Sequence, residues 1–187
     1  MSFQQDAQKS IRAFKKFTAH AIKAYFSDDA QIHSYEDSND PSERELDLNY
    51  GIDGVIVDGE GWAHNYASRV QFVKYGGWSY DTFTVRGFRP SGAATEIDKL
   101  RQVGTPKPEY HIQTYVDYDK RGAVVGIAET VELYQWITRN KPPLITNRDG
   151  TKFYAVEFSA IDSVRVFYVD ESGNVTDITA KIKASAA

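Results

Sequence analysis

The sequence predicts an α/β domain, a mixed β-sheet flanked by helices. Apolar residues recur at helical spacing over residues 7–26. From residue 52 onward, short apolar runs of strand length follow one another between Gly, Pro and Asp turn signals, broken by two further helical stretches. A chain of 187 residues with 41% hydrophobic and 13% aromatic content can build one domain around a substantial core. That core is expected over about 7–138, with a β extension over about 150–182.

The opening helix follows from Ile11, Phe14, Thr18, Ala21, Ile22 and Tyr25, which share a face while Lys9, Arg12, Lys16 and Lys23 occupy others. Residues 27–48 are acidic and polar, with a turn signal at Asn39-Asp40-Pro41-Ser42, and are expected to be a long loop with one short element. Three strands are then predicted over 52–57, 68–75 and 82–88, the first ending in the turn Asp58-Gly59-Glu60-Gly61. After Pro90-Ser91-Gly92, a helix is predicted over 94–103, with Thr95 as its cap. Strands over 110–118 and 123–128 flank a turn at Asp119-Lys120-Arg121-Gly122. A short helix over 131–138 ends before Pro142-Pro143. Strands over 153–158 and 164–169, a hairpin at Glu171-Ser172-Gly173-Asn174 and a frayed tail from 183 complete the chain. No internal repeat or low-complexity tract interrupts it.

The absence of cysteine excludes disulfides, thiolate metal sites and cysteine nucleophiles. The four histidines are scattered, without the spacing of a histidine-based zinc centre. No apolar run is long enough to cross a bilayer, so no membrane partner is expected and a reducing cytoplasm, bacterial or viral, suits the chain. The net charge of −4 conceals blocks. Residues 1–27 hold Lys9, Arg12, Lys15, Lys16 and Lys23 against Asp6. Residues 28–60 are acidic apart from Arg44. Residues 61–107 are basic again, with Arg69, Lys74, Arg86, Arg89, Lys99, Arg101 and Lys107. Binding to a polyanion depends on such local clusters and not on the total.

Asp53 lies within an apolar run, where a carboxylate requires a cation, a metal or nearby backbone N–H groups. Strand alternation puts Val70, Phe72 and Lys74 on one face and Arg69, Gln71 and Val73 on the other. In the third strand, Thr82, Thr84 and Arg86 form a row suited to phosphate oxygens or to a solvated outer face. Glu96 and Lys99 share a helix face, as a site pair or a surface pair, and the N–H groups at Ala93-Ala94-Thr95 could meet an anion. No Ser/His/Asp arrangement or phosphate-loop pattern is present, and Asn174-Val175-Thr176 is a glycosylation acceptor only in a secreted chain.

The order of helix, three strands, helix and strand, with Asp53 in one strand and Lys74 in the next, resembles the PD-(D/E)XK nuclease superfamily. Gly51-Ile52-Asp53, Val70 to Lys74, Phe83-Thr84-Val85-Arg86 and Thr95-Glu96-x-x-Lys99 also resemble a phage-type branch of small proteins; the resemblance covers about 43–137. It implies a restriction-endonuclease-like αβββαβ core and magnesium-dependent cleavage of DNA. In that scheme Asp53 holds the metal, Lys74 stabilises developing charge, and Gln71 or Glu96 completes the catalytic set. Arg69, Thr84, Arg86 and Lys99 hold nucleic acid. The chain departs from the pattern at the Glu-x-Lys pair: Phe72 precedes Lys74 where the glutamate belongs, and taking Gln71 instead puts Val73 at the lysine. A second carboxylate must come from Glu96, Asp47 or Glu45. The same scaffold without catalysis would be a nucleic-acid binder or a phage accessory protein, and a homodimer is compatible with either.

Overall fold

The computed structural model describes residues 3–35, 38–73, 80–117, 119 and 121–185, with side chains from Gln8 onward. The chain is mixed α/β, as predicted. A seven-stranded sheet runs in the order β1 (Gln31–Ser34), β2 (Gly54–Val57), β3 (Ala63–Phe72), β5 (Tyr110–Asp117), β6 (Gly122–Glu129), β9 (Arg165–Asp170) and β10 (Val175–Asp177). A second sheet has the order β4 (Thr82–Phe88), β8 (Lys152–Glu157) and β7 (Ile145–Thr146). All pairs are antiparallel except β3 with β5.

That one parallel pair explains where β4 lies. Parallel neighbours require a crossover connection. Here the crossover contains β4 and the short helix α4 (Glu96–Arg101), so both leave the main sheet. The three strands expected over 52–57, 68–75 and 82–88 therefore do not lie side by side. The antiparallel trio before the crossover is β1, β2 and β3, followed by α4 and then β5. β5 is buried at His111, Ile112, Gln113, Thr114, Tyr115 and Val116, which suits the middle of a sheet covered on both faces.

One face of the main sheet carries the N-terminal helix, built from α1 (Phe3–Ala13), a π-helical turn at Phe14–Thr18 and α2 (Ala19–Tyr25). Ala13, Phe17 and Ala21 are buried in steps of four. Such steps drift on an ideal α-helix, and the wider π turn offsets that drift. The same turn buries Thr18 against Thr114, hydroxyl to hydroxyl at 2.8 Å. Ile56, Tyr66, Ile112, Val116 and Val125 meet the helix from the sheet, with Val70 and Phe72 packed at the margin. The opposite face packs Tyr115, Ala128 and Val166 against Phe83 and Val85 of β4, Ile97 of α4, and Leu133 and Ile137 of α5 (Thr130–Asn140).

Other sequence expectations hold with shifted ends or need correction. The stretch over 27–48, expected to be a loop with one element, contains β1 and a helix that begins at α3 (Pro41–Glu45) and widens into a π turn at Leu46–Tyr50. Asp40 caps α3 by accepting from Ser42 N–H at 2.8 Å. The segment taken as a C-terminal extension is woven into both sheets: β8 pairs with β4, and β9 lies beside β6. Before the tail expected to fray from 183, the chain adds a helix the sequence did not predict, α6 (Thr179–Ala184), which runs into the first two residues of that tail.

Candidate functional site

Alternation along β3 sends Arg69, Gln71 and Val73 away from the N-terminal helix, as the sequence predicted, and toward β4 and α4. Lys74 lies outside the described residues. The row Thr82, Thr84 and Arg86 is not a solvated outer face, because β4 lies over β5 and turns this row inward. Thr82 meets the Tyr115 hydroxyl at 2.9 Å. Thr84 is only 2% exposed. Its backbone N–H and hydroxyl both donate to Gln113 Oε1, at 3.2 and 2.9 Å. Arg69 and the Gln71 amide donate to the Thr84 hydroxyl oxygen, each at 3.3 Å. Thr84, expected at the phosphate, instead braces the site from within.

Glu96 joins the two strands from α4. It accepts from the Arg69 guanidinium and from the Arg86 backbone N–H, the latter at 2.7 Å. Burial alone would raise its pKa. Arg69 outweighs that effect, aided by His111 and Arg86, and holds the carboxyl below its ordinary value. Glu96 is therefore an ionised counter-charge for arginines. Arg86 lies below its ordinary pKa through burial first, then through Arg69 and Arg89, with Glu96 and Asp149 opposing. Its guanidinium makes no hydrogen bond among the described residues, and the buried Arg89 Nε has no partner there. Two guanidiniums, Arg69 and Arg86, thus gather at the Glu96 carboxylate, with Arg89 beside Arg86.

A second group lies beside them. Asp53 accepts from the Ser68 N–H at 2.6 Å, which supplies the backbone partner expected for a carboxylate in an apolar run. Its side chain is also in hydrogen-bond contact with Asp47. Burial raises the Asp47 carboxyl above its ordinary pKa, opposed by Lys99, Asp53 and Arg44. The π turn that carries Asp47 ends at Gly51, whose φ of 68° suits glycine. A Cβ there would approach Lys99 Cδ to 3.3 Å. Lys99 crosses this glycine and donates to the Asp47 carbonyl at 3.2 Å. Burial lowers the Lys99 pKa, against the pull of Asp47, Asp53 and Glu96.

The structure brings Arg69, Gln71, Thr84, Arg86 and Glu96 together, and joins Lys99 to Asp53 through Asp47. Of the second carboxylates considered, Asp47 reaches Asp53, while Glu96 is bound to arginine. Among the described residues, no group of three His, Asp or Glu side chains converges as a metal cage. Two of the three N–H groups expected to await an anion before α4 are engaged instead: Ala93 N–H donates to the Ser91 hydroxyl at 3.4 Å, Thr95 N–H donates to the Asp98 carboxylate at 2.9 Å, and Thr95 accepts from Asp98 N–H in return. Sequence reasoning missed Gln113 and Arg89. A glutamine flanked by apolar residues in a strand was the one available signal for Gln113; Arg89 had none beyond its place in a basic block. Compared with protein-family models, curated proteins and solved structures, the chain matches none of them.

Proposed function

We propose that the chain binds the phosphodiester backbone of nucleic acid, DNA foremost, through Arg86 and Arg89, with Arg69 and Lys99 behind them. The observation that carries this reading is the excess of guanidinium over carboxylate at the site. Arg86, half-buried, is repelled by both Arg69 and Arg89, and Glu96 and Asp149 oppose that repulsion. Like charges held out of water are costly unless an anion joins them. Guanidinium forks match phosphate oxygens in pairs, which makes phosphate the natural anion.

The contact between Asp47 and Asp53 favours a second reading, magnesium-dependent cleavage. Two carboxylates in hydrogen-bond contact at neutral pH need a shared proton or positive charge, and Lys99, the one cation that both act on among the described residues, is a single charge against two. Magnesium is commonly held by one or two carboxylates, with water and phosphate oxygens completing its shell. Asp47 and Asp53 fit that role, and a metal there would activate water and offset charge on phosphate. Arg86 and Arg89 would fix the scissile phosphate, and Lys99 would steady the Asp47 loop.

Both readings meet in one experiment, the anisotropy of labelled DNA in EDTA, followed by magnesium. Arg86→Ala combined with Arg89→Ala should weaken binding in EDTA by roughly tenfold or more, two charge-assisted contacts being lost. Unchanged affinity would sink the phosphate reading. Cleavage on adding magnesium that disappears in Asp53→Ala would establish the second reading; cleavage retained in that variant would remove Asp53 from it.

A further inference from the structure

We propose that the cleft beside the arginine cluster receives one unpaired nucleobase carrying an exocyclic amino group, so that the nucleic acid bound here is single-stranded. This deepens the phosphate-binding reading and rests on it.

The cleft has a volume of about 250 Å³ and opens where the end of β3 meets β5 and the turn between β7 and β8. Tyr115 and Phe153, 2% and 6% exposed, form apolar walls. Arg69, Gln71 and Asn147 supply the polar lining. Drug-sized ligands occupy roughly 300–1,000 Å³, so this space takes one ring system and no helix or duplex end. A base within a duplex has its faces stacked and its pairing edge occupied, and only an unpaired base can enter such a space.

The hydrogen bonds around the cleft determine what it asks of that base. The Thr84 hydroxyl donates its proton to Gln113 Oε1, so its oxygen can only accept from Gln71. Gln71 must therefore turn its amide nitrogen inward, which leaves Oε1 without a donor among the described residues. The same logic applies at Asn147. The Thr151 hydroxyl donates to the Asp149 carboxylate at 2.7 Å and accepts from Asn147 Nδ2 at 3.0 Å. Asn147 Oδ1 is left over in the same way. Each amide orientation is thus set by a neighbouring threonine, and two lining residues keep a carbonyl oxygen for a ligand. Carbonyl oxygens recognise N–H donors, and the exocyclic amino groups of cytosine, adenine and guanine supply them. Thymine has a carbonyl where cytosine has its amino group and offers one N–H, at N3, so it can serve one of the two oxygens, whereas an amino group with its two protons can serve both. Arg69, bound to Glu96 at the edge of the cleft, connects the base site to the phosphate cluster.

The test compares short labelled oligo(dC), oligo(dT) and an abasic strand of the same length in EDTA, beside a duplex. All strands carry the same phosphates, and pyrimidine strands avoid the self-stacking of oligo(dA). Oligo(dC) should bind roughly tenfold tighter than oligo(dT) or the abasic strand, and tighter than duplex. Asn147 is exposed, so Asn147→Ala should fold normally; it should bring oligo(dC) toward the oligo(dT) level. Equal affinity for all three single strands would overturn the base site while leaving phosphate binding intact. Duplex binding tighter than any single strand would overturn it too. Binding of none of them would overturn both this proposal and the reading beneath it.

Discussion

Burial strips water from the His111 imidazole, and its pKa falls to about 4, with Glu96 pulling upward and Arg69 pushing down. Its Nε2 is buried without a hydrogen-bond partner among the described residues, which agrees with a neutral ring. Between the ordinary value of 6.5 and about 4, the unfolded chain takes up a proton that the folded chain refuses. Stability should therefore fall as pH drops through this window, by about 3 kcal/mol at most, and this group should add no further loss below it. Urea unfolding of wild type and His111→Gln at pH 7 and pH 4.5 measures the effect, and the variant should lose less stability on acidification. Equal losses would mean that His111 titrates normally. Glu96 acts in a lower window: its depressed pKa makes its contribution disappear only as pH falls below the ordinary glutamate value. Neither role was legible beforehand. A histidine in an apolar strand does not reveal whether an arginine or a carboxylate lies across from it.

At the scale of the element, α4 is six residues long and depends on its cap. Helices this short do not persist by propensity. Ile97 and Leu100 anchor the helix by burial, and the reciprocal bonds of Thr95 and Asp98 satisfy its first N–H groups. Thr95→Ala should cost about 1 kcal/mol, a melting shift of about 2–4 °C for a domain of this size. Calorimetry would measure it, and an unchanged midpoint would show that burial alone holds α4. Because Glu96 is the first residue of this helix, the cap also sets the carboxylate that organises Arg69 and Arg86. Cap and periodicity were both visible in the sequence, since they depend on residues a few positions apart. The departure of β4 from the main sheet was not. It follows from β5 taking the place beside β3, and those strands pair at Tyr66 with Tyr110, a separation that local pattern does not encode.

For the whole molecule, the main sheet separates two basic surfaces. The N-terminal helix exposes Arg12, Lys15, Lys16 and Lys23 on one side, and Arg69, Arg86, Arg89 and Lys99 gather on the other. One strand held at the site does not reach the helix across the sheet. Two phosphate contacts from Arg86 and Arg89, or four when Arg69 and Lys99 join them, should give a slope of log K against log salt of roughly −1.5 to −3 on single-stranded DNA. Salt titration of the anisotropy signal would show it. A slope near roughly −5 would mean that the helix cations join the same complex, and a slope near zero would remove phosphate contacts altogether. Among the described residues, no helix is long and apolar enough to cross a membrane.

The sequence by itself determined the α/β class, most of the elements, the alternation that turns Arg69 and Gln71 to one side of β3, and the unusual position of Asp53. These depend on periods of two and 3.6 residues and on turn chemistry, all of which act between near neighbours in the chain. Only the tertiary structure decided that Thr84 is buried, that Glu96 serves arginines, that Asp47 reaches Asp53, and that Gln71 and Asn147 share a cleft. Each of these depends on a crossover and on packing between layers. There, hydrogen bonds and charges from distant residues must be satisfied together once water is excluded.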